Sequence, residues 1–228
     1  MDWIKATSIA IDGPSGSGKS TAARYLAKKL NFVYIDTGAM YRSVGLYCLE
    51  HGGDTQSKEA VEANLADIQL DIQYDSGEQR IFLNQEDVTK RIRTQEVGKA
   101  ASNVAKIHKV REWLVALQRQ LGNSKNIIMD GRDIGTNVLP NATLKIYLDA
   151  AVSARTERRM KELLELGENP IYETIKAEIE DRDFEDTNRK ISPLCIAADA
   201  IVIDATDLGI KEVCNRIIEL LITRGQKS

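Results

Sequence analysis

A glycine-rich loop that ends in a lysine and a serine is the segment of this chain best suited to chemistry. Residues 13–20 read Gly-Pro-Ser-Gly-Ser-Gly-Lys-Ser and fit the spacing G-x-x-x-x-G-K-[ST]. Glycines permit left-handed backbone and close approach, so the N–H groups of such a loop can surround a phosphate. Lys19 suits the β- and γ-phosphates of a nucleoside triphosphate, and the Ser20 hydroxyl suits Mg²⁺. The loop therefore predicts a triphosphate site.

The residues on either side of the loop match what this mechanism requires. Ser8–Asp12 is a short apolar run typical of a buried strand, and residues 19–30 place Ala22, Leu26 and Leu30 on one helical face. The N-terminus of that helix would direct its positive end at the bound anion. A chance match on a turn is a weak alternative. The loop of a switch or motor protein, rather than of a metabolic enzyme, stays open at this point.

Other apolar runs along the chain also end in aspartate, and helical patterns separate most of them. Continuous apolar strands joined by helices indicate a parallel sheet covered on both faces, in which ligands gather at the carboxyl ends of the strands. Aspartate also favours helix caps and turns, which accounts for some of these positions. The terminal aspartates are Asp12, Asp36, Asp130, Asp149 and Asp204.

Residues 68–90 depart from this pattern. Residues 68–74 alternate apolar and polar side chains, residues 75–78 form a turn signal, and residues 80–83 can return as a second strand. This pattern predicts an antiparallel hairpin inserted into the parallel fold, close to the active-site face. A single long helix is predicted over about residues 95–122, ending near Gly122. Its core stripe consists of Ile107, Val110, Leu114, Leu117 and Leu121.

A predicted helix from about Tyr172 to Asn188 changes character along one face. Ile175 and Ile179 begin an apolar stripe that continues at helical spacing as Arg182, Asp186 and Arg189. These three charged side chains can converge on one place. Alternatively, the helix end emerges into solvent, with Arg182 and Asp186 as an ordinary i,i+4 pair.

Three arginines crowd one face of the preceding helix. Arg155, Arg158 and Arg159 lie at positions i, i+3 and i+4, where they repel one another unless an anion lies among them. Residues 167–170, Gly-Glu-Asn-Pro, form a hinge to the next helix, so the two helices can close over a nucleotide as a lid. The sequence is equally consistent with the alternative that these three arginines form a solvent-exposed basic face of the helix.

Composition limits the class of protein. The 228 residues suit one α/β domain with insertions or two small domains, and the net charge of −3 gives no basic field for nucleic acid. The three cysteines show no C-x-x-C spacing, which indicates reduced thiols in a cytoplasmic protein. Two histidines are too few for a metal site. The sequence shows no signal peptide or membrane span, and no surplus apolar stripe, so a monomer without membrane contacts is expected.

Two further loops combine a glycine, an arginine and an acid at a strand's carboxyl end. They are residues 36–42, Asp-Thr-Gly-Ala-Met-Tyr-Arg, and residues 130–133, Asp-Gly-Arg-Asp. With these motifs the chain resembles the bacterial cytidylate kinases over essentially its whole length. The glycine loop, these two segments (the second extended to Thr136) and the residues Arg182-Asp183 through Asn188-Arg189 carry the resemblance, and the antiparallel insertion is typical of the bacterial members. The ending Gly-Lys-Ser-Thr departs from the Gly-Lys-Gly-Thr of many relatives and leaves open whether Ser20 or Thr21 contacts the metal.

The resemblance implies a P-loop NTPase fold with three α/β/α layers around a five-stranded parallel sheet. It also implies a single cytidylate kinase domain over residues 1–228. Its core would be residues 1–62, 95–150 and 192–228, with a monophosphate-binding insertion at about 63–94 and a helical lid at about 152–190.

The resemblance further implies Mg²⁺-dependent transfer of phosphate from ATP to CMP or dCMP. Lys19, Arg132, Arg189, Arg155 and Arg159 would be catalytic. ATP would contact Gly13, Pro14, Ser15, Gly16, Ser17, Gly18, Lys19, Ser20, Thr21 and Arg158. CMP would contact Thr37, Tyr41, Arg42, Ser102, Arg111, Arg132, Asp133, Arg182, Asp186 and Arg189. Ser20 would meet the metal through the nucleotide, and Asp130 could order its water shell.

The acceptor in such a reaction is a phosphate oxygen that is already anionic, so no general base is needed and the lack of a catalytic histidine is no objection. A kinase acting on a hydroxyl, such as a shikimate-type kinase, is the nearest alternative, but the predicted acceptor side carries many arginines for a neutral alcohol. A GTP-driven switch would carry an Asn-Lys-x-Asp motif, and the closest string, residues 188–191, does not fit it.

Overall fold

The computed structural model describes residues 7–75, 78–123 and 126–225. The chain divides into two compact units. The first contains the described residues before Val33 and those after Ser124, and the second contains the residues from Val33 to Asn123. The boundaries of core, insertion and lid drawn from the sequence remain predictions, because the two units reflect packing and not functional roles.

The described residues form eight strands, eight α-helices and three short segments of other helix types. The strands are β1 (Ser8–Asp12), β2 (Val33–Asp36), β3 (Leu70–Asp75), β4 (Glu78–Leu83), β5 (Glu86–Asp87), β6 (Ile127–Gly131), β7 (Leu144–Asp149) and β8 (Ile201–Asp204). The helices are α1 (Lys19–Leu30), α2 (Thr37–Glu50), α3 (Lys58–Asn64), α4 (Gln95–Val104), α5 (His108–Gly122), α6 (Val152–Glu165), α7 (Tyr172–Asn188) and α8 (Ile210–Gly225). Leu65–Asp67 and Arg91–Arg93 are 3₁₀-helical, and Ile134–Val138 is a π-helix.

The main sheet confirms the prediction of a five-stranded parallel α/β fold. Its strand order is β2-β6-β1-β7-β8, with parallel pairing of β1 to β6 and β7 and of β7 to β8. Ile9, Ile11 and Ile128 are completely or almost completely buried, as expected for strands covered on both faces. Asp12 pairs in register with Gly131. The ends of β1 and β6, which carry the glycine loop and the Asp-Gly-Arg-Asp loop, therefore lie side by side.

A separate antiparallel sheet in the second unit confirms the predicted hairpin. β3 pairs with β4 from Leu70 opposite Leu83 onward, and the turn at residues 76–77 lies outside the described residues. β5 adds a third strand to this sheet. The sequence analysis did not predict it, because two exposed acidic residues show no alternation of apolar and polar side chains. Ile81 and Leu83 join the apolar core of this unit with Met40 on α2.

The prediction of a single helix over residues 95–122 is wrong. The chain forms α4 and α5 instead, and Ile107 between them is extended, with φ −90° and ψ 124°. After α4 the hydrogen bonds join residues three positions apart instead of four. The N–H of Lys106 donates to the carbonyl of Asn103, and the N–H of Ile107 donates to the carbonyl of Val104. The side chain of Asn103 donates to the Thr55 hydroxyl at 3.0 Å and so has a partner outside its own helix.

Two helices of the first unit occupy the segment that the sequence analysis predicted to be a lid, and the lid role remains a prediction. α6 and α7 are joined by residues 166–171, which include the predicted Gly-Glu-Asn-Pro turn, and α7 has the predicted limits Tyr172 and Asn188. Leu163, Ile175 and Ile179 bury a small apolar core between them. No helix within the described residues has both the length and the hydropathy needed to cross a bilayer.

Candidate active site

The glycine loop begins where β1 meets its neighbour in the sheet. Gly13 has φ +154°, and a Cβ at this position would overlap the backbone oxygen of Leu148. No side chain fits there, so the first glycine of the motif is required by close packing as well as by conformation. Ser17 is buried inside the loop, and its hydroxyl has no hydrogen-bond partner among the described residues. The loop thus presents a polar donor that an anion could satisfy.

Lys19 opens α1 and lies buried under the loop. Its Nζ donates to the backbone oxygen of Pro14 at 2.8 Å. Burial, followed by repulsion from the charge of Arg132, lowers the pKa of Lys19 to about 7, against the attraction of Asp130. The carbonyl of Pro14 carries no charge to offset that of Lys19. A phosphate bound in the loop would replace this partner with an anion and stabilise the ammonium form of Lys19.

Ser20 and Asp130 meet beside the loop. The Ser20 hydroxyl donates to Oδ2 of Asp130 at 2.6 Å, whereas Thr21 is exposed. Of the two hydroxyl residues, Ser20 is therefore the one placed at the carboxylate. A hydroxyl and a carboxylate are oxygen ligands of the kind that Mg²⁺ uses, and they fit this ion with water and phosphate completing its shell. No group of three or more histidine, cysteine or acidic residues in the described ranges could hold a metal by itself.

The charged face predicted on α7 converges on the loop that follows β6. Nε of Arg132 donates to Oδ2 of Asp186 at 2.6 Å, and Nη1 of Arg189 lies 3.8 Å from Oδ1 of the same carboxylate. Burial would raise the pKa of Asp186, but the charges of Arg132 and Arg182 outweigh it and lower the pKa. The alternative of a helix end emerging into solvent is thereby excluded for these residues.

Arg182 is the member of this cluster without an ion pair. It is half-buried and makes no hydrogen bond or ion pair with the residues that the structure describes, and its Nε is buried. Burial, then the nearby charge of Arg132, lowers the pKa of Arg182. Burying a guanidinium nitrogen beside another arginine costs free energy unless an anion joins the pair. The position indicates an anion-binding site.

Asp133 lies at the start of the π-helix and is 5% exposed. Its Oδ2 accepts from Nδ2 of Asn137 at 3.0 Å, and its Oδ1 lies 3.4 Å from Nη2 of Arg189. Asp133 does not cap the π-helix with its own side chain. That task falls to Asp12, whose oxygens accept from the backbone N–H groups of Ile134 and Gly135, both at 2.8 Å.

The three arginines of α6 have different surroundings. Arg155 is buried and donates to the carbonyls of Ala150 and Ser15, and its Nη2 lies 2.6 Å from Oδ2 of Asp183. Arg158 reaches the carbonyl of Ser17 at 3.5 Å and also donates to the backbone oxygens of Ala205 and Thr206. Arg159 pairs with Glu162 on its own helix. Two of the three therefore contact the glycine loop.

The second unit contains its own polar cluster, built on α2 and α4. Nη1 of Arg42 donates to the carbonyls of Ile92 and Thr94 at 3.1 and 3.2 Å. The same guanidinium packs on Gly98, where a Cβ would lie 3.1 Å from Nη1, and the Ser102 hydroxyl donates to the carbonyl of Gly98.

Two more of the predicted substrate residues of this unit contact each other. The buried Arg111 lies over the ring of Tyr41, with 5.6 Å between its Cζ and the ring centroid. Thr37 is buried in the first turn of α2, and Asp36 before it caps that helix through the N–H of Ala39 at 2.9 Å. The structure thus packs Arg42 of α2 on α4, beside Ser102, and places Tyr41 of α2 against Arg111 of α5.

Four residues with evident structural roles were not among the predicted site residues. Asp12 and Asp183 were visible in the sequence, the first as one of the strand-ending aspartates and the second within the motif of α7. Arg93, which pairs with Asp36 at 2.9 Å, and Asn137, which contacts Asp133, gave no signal. A single polar residue in a loop or short helix has no spacing that would distinguish it from solvent-exposed neighbours.

Comparison with known proteins gives a family for this arrangement. Residues 9–223 match the family model described as cytidylate kinase. The cytidylate kinase of Caldicellulosiruptor bescii is 47% identical over 217 residues, covering 95% of this chain and 96% of the relative. That of Enterococcus faecalis is 48% identical, covering 96% of each chain. An uncharacterized protein of Eubacterium ventriosum shares the fold, with a TM-score of 0.52 at 16% identity, covering 96% of this chain and 99% of the other. The chain belongs to the cytidylate kinase family.

Proposed function

We propose that this protein transfers the γ-phosphoryl group of ATP to CMP and dCMP, releasing ADP with CDP or dCDP. The family supports CMP as acceptor, since the relatives named above are cytidylate kinases. One observation of the structure carries the rest. Lys19 lies under the glycine loop, and Arg132 lies close enough to Lys19 and to Arg182 for its charge to add to burial in lowering the pKa of both. Such a cluster needs anions, and a triphosphate and a monophosphate supply them.

On the donor side, the loop from Gly13 to Ser20 would hold the phosphates of ATP through its N–H groups and Lys19. Mg²⁺ would be held by Ser20 and, through water, by Asp130. The ion supplies positive charge that offsets the charge of the transferred group. Arg155, Arg158 and Arg159 would belong to the lid, whose closure excludes water and so suppresses hydrolysis of ATP.

On the acceptor side, the substrate is already anionic and needs no general base. Arg42, Arg132 and Arg189 would bind its phosphate, with Thr37 and Tyr41 lining the pocket. Arg182 and Asp186 would meet the sugar hydroxyls. The residues proposed to hold the cytosine edge are Ser102, Arg111 and Asp133. The chemistry is then in-line transfer between phosphates, driven by positioning and electrostatic stabilisation.

A coupled assay with ATP, Mg²⁺ and a panel of acceptors tests this function. CMP and dCMP are expected to be turned over far faster than UMP, AMP or shikimate. Preferred turnover of shikimate would identify a hydroxyl kinase and overturn the proposal. Nucleotide-dependent partner binding without phosphoryl transfer would equally overturn it, because it would indicate a switch.

The choice of base depends on Asp133 in this proposal. A carboxylate accepts from the exocyclic amine of cytosine and repels the carbonyl that uracil places there. The Asp133→Ala variant is therefore expected to narrow the preference for CMP over UMP by about tenfold, the size of one mismatched buried polar contact. The measurement is the ratio of the two kcat/KM values. An unchanged ratio would remove Asp133 from base selection.

A further inference from the structure

We propose that Asp12 is a positioning residue for acceptor selection: it caps the π-helix after Asp133 and thereby keeps the Asp133 carboxylate directed at the acceptor base. This inference rests on the proposed role of Asp133. Asp12 is the last residue of β1, directly before the glycine loop, and it was not expected to take part in the acceptor site. Its side chain contacts the loop that follows β6, the strand next to β1 in the sheet.

The contact between Asp12 and the π-helix is a two-point clamp. Oδ1 accepts from the N–H of Ile134 and Oδ2 from that of Gly135, each at 2.8 Å. Asp12 is 5% exposed and Ile134 is 1% exposed, so water does not replace these bonds. Two adjacent N–H groups need two acceptor oxygens, and a carboxylate is the side chain that supplies both.

Asp12 caps the π-helix although Asp133 occupies the sequence position from which a cap is expected. Asp133 occupies the N-cap position of the π-helix, and aspartate is among the best residues for capping from that position. Its side chain nevertheless makes no capping bond and lies against Asn137 and Arg189 instead. Because Asp12 already satisfies the helix N-terminus from a neighbouring strand, Asp133 can keep this other orientation.

Loss of the clamp therefore has a defined consequence. The N–H groups of Ile134 and Gly135 would lose their acceptors, and Asp133, at the N-cap position directly before them, has a carboxylate that can rotate onto the helix end. Rotation of Asp133 onto its own helix end would satisfy them and would withdraw the carboxylate from Arg189 and from the acceptor. The expected defect is a loss of base selection, with the glycine loop and its ATP affinity retained.

Gly135 is built to accept this clamp. A Cβ at Gly135 would lie 3.3 Å from Oδ2 of Asp12 and 3.1 Å from Cδ of Lys145, both tighter than ordinary contacts. The backbone of Gly135 is not left-handed, so an alanine there disturbs the carboxylate without backbone strain. Gly135→Ala thus perturbs the same contact from the opposite side.

The experiment compares kcat/KM for CMP and for UMP in Asp12→Asn, Gly135→Ala, Asp133→Ala and the double variant Asp12→Asn/Asp133→Ala. Asp12→Asn keeps one acceptor oxygen but faces the second N–H with an amide donor. Its ratio of CMP to UMP is expected to fall by about tenfold, as for Asp133→Ala, with the KM for ATP within about twofold of the wild-type value. Gly135→Ala is expected to shift the ratio in the same direction by less. The double variant is expected to match Asp133→Ala, because both changes act through one carboxylate.

Asp204→Ala is the matched control. Asp204 also ends a strand, and its Oδ1 also accepts a backbone N–H, that of Thr206 at 2.8 Å. It caps a turn on β8 and not the π-helix, so the CMP to UMP ratio is expected to stay unchanged. The control separates the loss of a strand-end cap in general from the loss of this one.

The outcomes distinguish a failure of the inference about Asp12 from a failure of the proposed role of Asp133 in base selection. If Asp133→Ala leaves the ratio unchanged, the role of Asp133 in base selection is wrong and the inference falls with it. If Asp133→Ala lowers the ratio but Asp12→Asn and Gly135→Ala do not, only the inference is wrong. Additive effects in the double variant, or equal losses for CMP and UMP, also overturn it. Should Asp12→Asn fail to fold, Gly135→Ala decides the question alone.

Discussion

Arg132 in the first unit bonds a carboxylate as well as the backbone carbonyl of Gly131, and Arg42 in the second unit bonds two backbone carbonyls. Arg132 donates to the carboxylate of Asp186, which also faces Arg189. Arg42 donates to the backbone carbonyls of Ile92 and Thr94. A carboxylate fixes a guanidinium and offsets its charge, whereas a carbonyl fixes it without offsetting the charge.

The difference teaches how a dense cluster of cations can exist before any anion arrives. The first unit places Lys19, Arg132 and Arg182 together, and burial lowers the pKa of Lys19 and of Arg182. Asp130 and Asp186 act in the opposite direction on Lys19. The acids therefore keep the cluster folded in the absence of phosphate, and an incoming anion competes with them for the same donors.

The largest effect is expected from removing the cation under the glycine loop. Lys19→Ala should lower kcat by at least about 10³, because Lys19 is the buried cation that lies under the loop and bonds the carbonyl of Pro14. The check is initial rates at saturating ATP and CMP, together with thermal unfolding to show that the fold is intact. Near-normal turnover in a folded variant would exclude the loop from the mechanism.

A second effect compares ion pairs of the two units by stability. Asp183→Asn removes the carboxylate from Arg155, whose side chain is 4% exposed, and is expected to cost about 3 kcal/mol of unfolding free energy. Glu86→Gln removes a partner of Arg91 in the second unit, where the two side chains are 67% and 40% exposed, and should cost less than about 1 kcal/mol. Urea unfolding of both variants measures the difference. Equal costs would mean that burial does not distinguish the two pairs.

The third prediction replaces arginine by lysine at the two positions compared first. Lysine keeps the charge but cannot hold a carboxylate and a phosphate with one planar group. Arg132→Lys is expected to lower kcat/KM for CMP by about 10², and Arg42→Lys by about tenfold, since carbonyls accept from an ammonium as well. The KM for ATP serves as the internal control. A larger loss at Arg42 would reverse the comparison between the units.

The main sheet and helices α6 and α7 were predictable because local signals and tertiary packing agree there. Each strand of the main sheet is an apolar run that ends in or next to an aspartate, and α7 keeps its apolar stripe through Ile175 and Ile179. The break between α4 and α5 was not predictable by the same means. Buried residues at positions 97, 101, 104, 107, 110 and 114 keep helical spacing across it, so periodicity indicates one continuous helix.

The site was predictable to the extent that its residues lie in dense motifs. Spacing on α7 correctly placed Arg182, Asp186 and Arg189 together, whereas the clamp of Asp12 on Gly135 joins residues 123 positions apart. The reading of strand-ending aspartates as caps is also correct for Asp36, which caps α2. For Asp12 the cap belongs to another element, and a sequence pattern contains no information on that pairing.

The last comparison concerns two aspartates that cap backbone N–H groups, Asp36 in the second unit and Asp12 in the first. Asp36 also pairs with Arg93, whereas Asp12 caps the π-helix with Asp133 and Arg132 as its charged neighbours. Burial raises the pKa of Asp12 from 3.8 to about 6, although the N–H groups of Gly135 and Ile134 act against it.

The sign of the pH dependence follows from this raised pKa. Between pH 3.8 and about 6 the folded state binds more protons at Asp12 than the unfolded state does, so its contribution to stability is present below pH 3.8 and lost as the pH rises through 6. The unfolding free energy of the wild type minus that of Asp12→Asn should fall by about 3 kcal/mol over this range. Urea unfolding at closely spaced pH values measures it.

Asp204→Ala gives the control of opposite sign. Hydrogen bonds from Thr206 lower the pKa of Asp204, so its contribution is present above pH 3.8 and lost as the pH falls below it. The unfolding free energy of the wild type minus that of Asp204→Ala should therefore rise with pH, whereas the corresponding difference for Asp12→Asn falls. Parallel curves for the two variants would mean that the Asp12 carboxylate titrates as an ordinary surface group. Its clamp on the π-helix would then not be buried as described.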